Sequence, residues 1–487
     1  MPEPGLSPAE IADEHRTDRR IGGFTLLVAA IAGLGGFLFG YDIGVISGAQ
    51  LFIVPAFGLD NVHTEIMVAA VTFGAIFGAI FAAGYAERFG RRWSIILGGI
   101  IFVVGILLTA LAPDYWVLVL GRVIIGYAVG HESAIVPMYI AEVSAPAVRG
   151  TLITMFQLAI TAGIFVADLI DAAAQPHWRL MFILAVIPAA VLIIAMIPMP
   201  RSPRWLVKQG ETEEAGKVLR KVREVQNVEE ELGEIIDSVA IEIEAEAPWT
   251  DLFKKPVSKV FSLGLMLAII QQLLGINTVF YYGPTILENA GISSSSNALW
   301  YALIFSGVNV AATFIAIRYI DRWGRRPLLI IGAGGQIVFL ALTATMFLVF
   351  GDKPGGVAAY FVLVTLCGVV VFFAFSFGPI VWVMISEIFP LRVRATGVSL
   401  ATAANWAANL IVALTFLSLL DALTAPGTFY LYAFIGVLSL IYIWHKVPET
   451  KDKSLEELEV ELGTAEPTLA GHTAHTTPGS PVPDESR

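Results

Sequence analysis

Between residues 23 and 447 long apolar stretches alternate with short polar turns. Most stretches hold about 18 or more nearly uncharged residues, enough for a helix rising about 1.5 Å per residue to cross a hydrocarbon core about 30 Å thick. The pattern predicts twelve spanning helices, at about 23–49, 65–84, 93–112, 115–141, 152–172, 180–199, 261–288, 298–320, 327–350, 357–386, 396–420 and 429–447. The fold class is therefore an all-α membrane protein. Composition agrees: 56% of the 487 residues are hydrophobic and only 15% charged, far more apolar surface than a soluble domain can use.

Lys and Arg in the turns set the orientation, because cytoplasmic loops carry them in excess. One side holds Arg16, Arg19, Arg20, Arg88, Arg91, Arg92, Arg149, the basic residues of 201–259, Arg318, Arg322, Arg325, Arg326, Arg392 and Arg394. The other has little beyond Arg179 and Lys353. Both termini are expected in the cytoplasm, which suits an even number of spans. The apolar run after the polar first twenty residues is too long for the core of a signal peptide and reads as a retained first span. Five regions follow: a cytoplasmic segment 1–22, a six-helix bundle 23–199, a charged helical linker 200–260, a second bundle 261–447, and a tail 448–487, disordered after about 463. The linker reads as two or three short helices bracing the cytoplasmic face.

The net charge of −11 says little about partners, since the charges sit in loops and tails. No basic patch with interleaved aromatics marks a nucleic-acid partner. The single Cys367 excludes an internal disulfide and a cysteine metal site. No nucleotide loop, metal-ligand spacing or nucleophile constellation points to an enzyme or a cofactor. The expected partners are a small molecule, an ion and the bilayer, with the protein a monomer in the cell membrane.

The polar residues inside the spans carry the chemistry. In span seven Gln271, Gln272 and Asn277 surround Leu273-Leu274-Gly275-Ile276, with Pro284 beyond. On an unbroken helix Asn277 would point about 120–140° from the glutamines, so unwinding at Gly275 is needed to bring all three to one cavity. Interrupted helices near mid-bilayer are where transporters hold substrate; amides that only lock helix to helix are the bland alternative. Asp42 in span one and Arg122 in span four each lie seven residues, or roughly 10 Å, inside the expected outer boundary. Equal depth permits a pair, and buried charges need one.

The chain also repeats itself. Glu87-Arg88-Phe89-Gly90-Arg91-Arg92 after span two matches Asp321-Arg322-Trp323-Gly324-Arg325-Arg326 after span eight. Glu142 and Arg149-Gly150 after span four match Glu387 and Arg394 after span ten. Two parallel six-span halves are a transporter signature, with the site at their interface. With Phe39-Gly40-Tyr41-Asp42, Gly121-Arg122, Pro137-Met138-Tyr139-Ile140-Ala141-Glu142, Pro200-Arg201-Ser202-Pro203-Arg204-Trp205-Leu206, Gly378-Pro379-Ile380-Val381-Trp382, Ser386-Glu387-Ile388-Phe389-Pro390 and Pro448-Glu449-Thr450-Lys451, residues 25–455 resemble the sugar porter family of the major facilitator superfamily.

The resemblance implies two pseudo-symmetric bundles and transport of a sugar. It implies sugar contacts at Gln157, Gln271, Gln272, Asn277, Asn309, Trp382, Asn405 and Trp406. Amides donate to and accept from hydroxyls, and indole suits the apolar faces of a sugar ring. Asp42 with Arg122 resembles the proton-coupled members, whereas passive glucose facilitators usually carry Asn at the former position. The implied mechanism is symport: Asp42 takes a proton, releases Arg122, and the halves rock with sugar and proton aboard. One charge crossing the field releases about 2.3 kcal/mol per 100 mV, enough to concentrate sugar tens-fold. Arg88, Arg91, Glu142, Arg149, Arg322, Arg325, Glu387 and Arg394 would latch the cytoplasmic gate as a network, because a solvated pair is worth at most about 1 kcal/mol.

Three departures leave the cargo open among hexoses, pentoses and inositol. His131-Glu132 replaces small residues and is a candidate second proton site. Asp168, expected to line the outer vestibule, and Asp171, expected to be solvated, are atypical. Ile164 stands where relatives often place a second Gln. A passive facilitator and a sugar-binding sensor are the competing readings; Asp42 with Arg122 weighs against the first, the short tail after Gly463 against the second.

Overall fold

In lipid no backbone group has water to bond, so each spanning segment must satisfy its own amides. The computed structural model accordingly shows helices throughout. It describes residues 22–145, 148–224, 227–244, 248–291, 295–351, 353–390, 393–451 and 461. Residues 1–21 of the N-terminal segment lie outside the described residues, as does the tail after 463, the part expected to be disordered.

The first bundle comprises α1 (Gly23–Phe57), α2 (Asn61–Phe89), α3 (Arg91–Ala110), α4 (Tyr115–Val143), α5 (Arg149–Ala174) and α6 (Trp178–Met196). Three short helices follow: α7 (Pro203–Lys208), α8 (Thr212–Arg223) and α9 (Glu229–Glu244). The second bundle comprises α10 (Val257–Leu273), α11 (Ile276–Asn289), α12 (Ser295–Trp323), α13 (Arg325–Phe350), α14 (Gly356–Ala374), α15 (Phe377–Ile388) and α16 (Arg394–Lys446). Among the described residues eleven helices are long and apolar enough to cross a membrane. The last of them, in α16, turns at Thr424 (φ 60°, ψ 173°) into two, which makes twelve.

The short helices define one face of the molecule, here the linker face. Glu224 accepts from the Phe24 N–H at 2.8 Å, so α1 starts there. Within α8, Glu213 and Glu214 lie in the first turn and Arg220, Lys221 and Arg223 in the last, complementing the helix dipole. Ala215, Val218 and Val222 bury the other side of α8 against Trp205 and Leu206.

Small residues let the spans approach closely. A Cβ at Gly74 or Gly78 of α2 would meet carbonyl oxygens of α4 at 2.0 and 2.1 Å, and one at Gly126 or Gly130 of α4 would meet those of α2 at the same distances. The two backbones are thus in contact along one reciprocal seam. That seam holds α2 against the helix that carries Arg122.

Helices extend beyond the apolar runs that predict them. Span one was expected to end at 49 and α1 continues to Phe57; span two was expected from 65 and α2 begins at Asn61. Asp60 caps α2, its Oδ1 accepting from the His63 N–H at 2.8 Å. That backbone bond holds the Asp60 carboxyl below the usual carboxylate range. Hydropathy marks where a helix meets hydrocarbon, whereas caps and hydrogen bonds mark where it ends. Span ten breaks at Ser376 (φ −124°, ψ −90°), two residues before the Gly378-Pro379 pair. Pro379 then falls in the first turn of α15, where its missing N–H breaks no intrahelical bond.

Span seven also breaks, between Leu274 and Gly275. Gly275 is left-handed (φ 78°, ψ 14°), and a Cβ on it would lie 2.8 Å from the Tyr432 ring. Gly275→Ala is expected to destabilise the protein by at least about 1 kcal/mol, the penalty for a side chain in that backbone region, before the ring contact is counted. Thermal unfolding in detergent checks it; an unchanged midpoint would show that the break does not require glycine.

Candidate functional site

The break at Gly275 brings three amides together and a fourth joins them. Asn277 donates to Gln272 Oε1 at 2.5 Å, and Gln272 donates to Asn405 Oδ1 of α16 at 3.0 Å. Asn405 in turn donates to Gln271 Oε1 at 2.7 Å and to the Ala268 carbonyl at 2.8 Å. Gln271 donates to the Phe377 carbonyl, at the start of α15, at 2.7 Å. The four side chains are buried. Donors and acceptors alternate round the cluster, the arrangement a polyhydroxy ligand can enter by exchanging amide–amide bonds for amide–hydroxyl ones.

Asp42 and Arg122 meet in the first bundle. Arg122 Nη1 donates to Asp42 Oδ1 at 2.9 Å, with the two residues 2% and 1% exposed. Arg122 Nε donates to the Met67 carbonyl at 3.2 Å, and the guanidinium lies 5.8 Å from the Phe182 ring centre. The equal-depth argument for this pair used a boundary at 49 that α1 overruns, so the two residues are not equally far from their helix ends.

Of the remaining sugar-contact candidates, Trp406 and Gln157 lie against the opposite bundle. Trp406 is 2% exposed; its Nε1 is 3.4 Å from Ser133 Oγ of α4, and its ring centre is 5.1 Å from that of Phe39. Gln157 of α5 is half-buried, and its Nε2 would lie 3.6 Å from a Cβ at Gly378. Trp382 is half-buried. Asn309 is buried, its carbonyl accepting from Thr313 at 2.8 Å. Ile164 packs into the core, with its backbone against Gly44 of α1.

Sequence reasoning missed the polar ties between the bundles. Glu65 accepts from the N–H of Ser418 at 2.8 Å and from its hydroxyl at 2.7 Å. Asn61 donates to Asp421 at 2.7 Å. Gln50 donates to the carbonyl of Tyr281, whose hydroxyl accepts from Asn409 at 3.1 Å. These ties lie toward the face opposite the linker. Their signal was available in Gln50 and Glu65, polar residues at the edges of apolar runs, but their partners come from far along the chain.

Two expectations need correction. Asp171 is not solvated: it is fully buried, and Oδ2 accepts from the Gly48 N–H at 3.1 Å. Asp168 does not line an open vestibule but is buried, with Ser306 of α12 nearby. Both face neighbouring helices, which the end-of-span position could not reveal. Glu132 and His131 are buried too; His131 Nε2 is 3.1 Å from the Ser94 carbonyl.

On the linker face Arg91 Nη2 pairs with Glu142 at 2.9 Å. Arg88 is exposed, its guanidinium 5.3 Å from the Phe89 ring centre. The side chains of Arg149 and Glu387 lie outside the described residues. Arg394 Nε donates to the Phe389 carbonyl at 3.0 Å. Arg322 is exposed and offers its carbonyl to Lys451 at 3.0 Å. Arg325 and Arg326 give their backbone N–H groups to Glu449 at 2.9 and 3.0 Å, a carboxylate capping the N-terminus of α13. Trp205 and Lys208 seal the equivalent loop of the first bundle through the carbonyl and carboxylate of Glu87, at 2.9 and 3.0 Å. Each repeated Gly-Arg-Arg loop is thus closed by a motif from a distant part of the chain.

Two six-helix bundles with an amide cluster at a broken helix define a secondary transporter of the major facilitator fold. A family model described as "Sugar (and other) transporter" matches residues 28–462. The galactose-proton symporter of Escherichia coli K12 is 38% identical over 455 residues, 92% of this chain and 97% of that protein. A D-xylose transporter of Levilactobacillus brevis is 39% identical over 435 residues, 88% and 94% of the two chains. The structure of the proton:xylose symporter XylE bound to 6-bromo-6-deoxy-D-glucose matches with a TM-score of 0.79 at 31% identity, covering 91% of this chain and 100% of that one. The chain belongs to the sugar porter family: it is a multi-pass membrane transporter and not an enzyme.

Removing one member of the buried pair tests its electrostatics. Arg122→Met leaves Asp42 without its counter-ion and is expected to cost about 3–5 kcal/mol. Asp42→Asn added to it should return a large part of that loss. A double-mutant cycle on unfolding in detergent measures the coupling, and additive effects would show that the pair contributes little.

Proposed function

We propose that this protein moves a monosaccharide or polyol (a hexose, a pentose or inositol) into the cell in symport with a proton, by alternating access. The linker face is cytoplasmic on this reading, in keeping with its share of Arg and Lys. The observation that carries the proposal is the buried Asp42–Arg122 pair at 2.9 Å, in the bundle opposite the amide cluster. Relatives described as proton symporters for galactose and arabinose support it.

The steps follow from the partners. A proton arriving from the outer face neutralises Asp42 and frees Arg122 to lean on the Met67 carbonyl alone. Sugar hydroxyls replace the mutual bonds of Gln271, Gln272, Asn277 and Asn405, while Trp406 and Trp382 cover the ring. The Glu65–Ser418 and Asn61–Asp421 ties then close the outer side, and those same bonds must break before the next sugar enters. When the cytoplasmic side opens, sugar leaves, Asp42 loses its proton, and the ion pair re-forms. Uphill transport draws on about 2.3 kcal/mol per 100 mV for each proton.

Proteoliposomes with an inward proton gradient should accumulate at least one of galactose, xylose, arabinose, glucose and inositol above the outside concentration. Uptake that stops at equality for every sugar would point to a passive facilitator. Asp42→Asn should keep sugar exchange and lose accumulation; accumulation at the unmodified level would remove Asp42 from coupling. Gln272→Ala should weaken sugar affinity about tenfold, which is 1.4 kcal/mol and close to the net worth of one hydrogen bond. Binding calorimetry reads this directly, and an unaltered affinity would make the amide a structural one.

A further inference from the structure

Glu132 is a buried acid that the steps above leave unused. It is 3% exposed, and neither of its oxygens has a hydrogen-bond partner among the described residues. Two neighbouring helices make room for it. A Cβ at Gly98 of α3 would fall 2.0 Å from Oε1, and one at Gly35 of α1 would fall 2.8 Å from Oε2. The carboxyl therefore occupies a slot between α1, α3 and α4 that any side chain at either glycine would close.

Among the described residues its surroundings supply no counter-ion. The slot presents Gly35 from α1, Gly98 from α3 and Val136 from α4 itself, and no ion pair among the described residues includes the carboxyl. His131, next along α4, has its Nε2 3.1 Å from the Ser94 carbonyl of α3 and lies edge-on to Tyr85 of α2. Ionised here, Glu132 would lack both counter-ion and donor, a penalty of several kcal/mol. A neutral acid escapes most of that penalty, and an apolar side chain would escape all of it. Packing alone gives no reason for an acid.

Position supplies one. Gly35 lies seven residues, about 10 Å along α1, from Asp42 toward the linker face. Glu132 lies ten residues, about 15 Å along α4, from Arg122 in the same direction. We propose that Glu132 is a second proton-binding site, set between the Asp42–Arg122 pair and the linker face, from which the transported proton leaves. This rests on the symport reading. Opening of the linker side admits water into the slot, and Glu132 releases its proton to that water. The carboxylate left behind then takes the proton of neutral Asp42 through the same water, and ionised Asp42 pairs again with Arg122. One proton enters and one leaves per cycle, with no other bond made or broken.

The test compares the unmodified protein with Glu132→Gln, which keeps the shape and cannot ionise, and Glu132→Asp, which can. Vesicles are loaded at several internal pH values, and the readout is the ratio of proton-driven accumulation to sugar–sugar exchange for labelled xylose or galactose. A positioned proton carrier contributes a hundredfold or more in many proton transfers, so the ratio should fall by about tenfold or more in the Gln variant. The Asp variant should recover part of it, with the dependence on internal pH displaced. Infrared difference spectra between high and low internal pH should show a protonated-carboxyl band that Glu132→Gln removes. A Gln variant with the unmodified ratio and pH profile would overturn the proposal. Should that variant fail to fold, Gly35→Ala, which crowds Oε2, must displace the internal-pH profile, and an unmoved profile overturns the proposal equally. Unmodified vesicles that only equilibrate sugar would overturn the symport reading along with it. Unmodified vesicles that accumulate beside an unaffected Gln variant would overturn this proposal alone.

Discussion

A polar group inside these bundles has no water to fall back on, and that constraint organises the structure. Backbone amides are satisfied within helices. Most buried polar side chains find partners, and where those lie on other helices, the helices are placed. Asn405 reaches Ala268 and Gln271, which pins α16 to α10. Arg122 reaches Asp42 and Met67, which pins α4 to α1 and α2. The helix-to-helix role of the amides and a ligand-binding role are therefore compatible, because partners held by hydrogen bonds alone can exchange them for the hydroxyls of a cargo.

The two polar centres occupy different bundles. The acid–base pair belongs to α1 and α4, the carboxamides to α10, α11 and α16. On the proposed mechanism, charge and cargo are thus handled by different halves. What joins them is the packing of α2 against α16 and of α5 against α12, with polar and ring contacts among it: Trp406 with Phe39 and Ser133, and the Glu65, Asn61 and Gln50 bonds toward the far face.

Much of this was legible in the sequence, for reasons particular residues make plain. Apolar run length alone gives twelve spans, because hydrocarbon thickness fixes how many residues a helix needs. Gly275 between amides signals the break, since few other residues tolerate φ 78°. Asp42 and Arg122 signal themselves by being charged at depth. Helix ends were less legible: caps such as Asp60 act outside the hydrocarbon, where hydropathy has no say. Facing direction was not legible at all. Asp171 near the end of a span reads as solvated until α1 is seen to lay Gly48 against it. The same holds for Glu449, whose place on the α13 N-terminus depends on the chain returning after more than a hundred residues.

The path from proton to sugar, on the proposed mechanism, runs through α11. Asn277 holds Gln272; Tyr281, four residues on, lies on the same helix face. The carbonyl of Tyr281 accepts from Gln50 of α1, and its hydroxyl lies within electrostatic reach of Asp42 and Arg122. One turn of helix therefore joins the amide cluster to the Gln50 bond with α1. The break at Gly275 frees that turn from α10, so α11 can tilt without dragging the rest of span seven. A charge lost at Asp42 changes the field on one end of the turn while a sugar changes the bonding at the other. A short helix hinged at glycine and held at both ends by exchangeable bonds gives two such events a common element to bias, which is what coupling between sites requires.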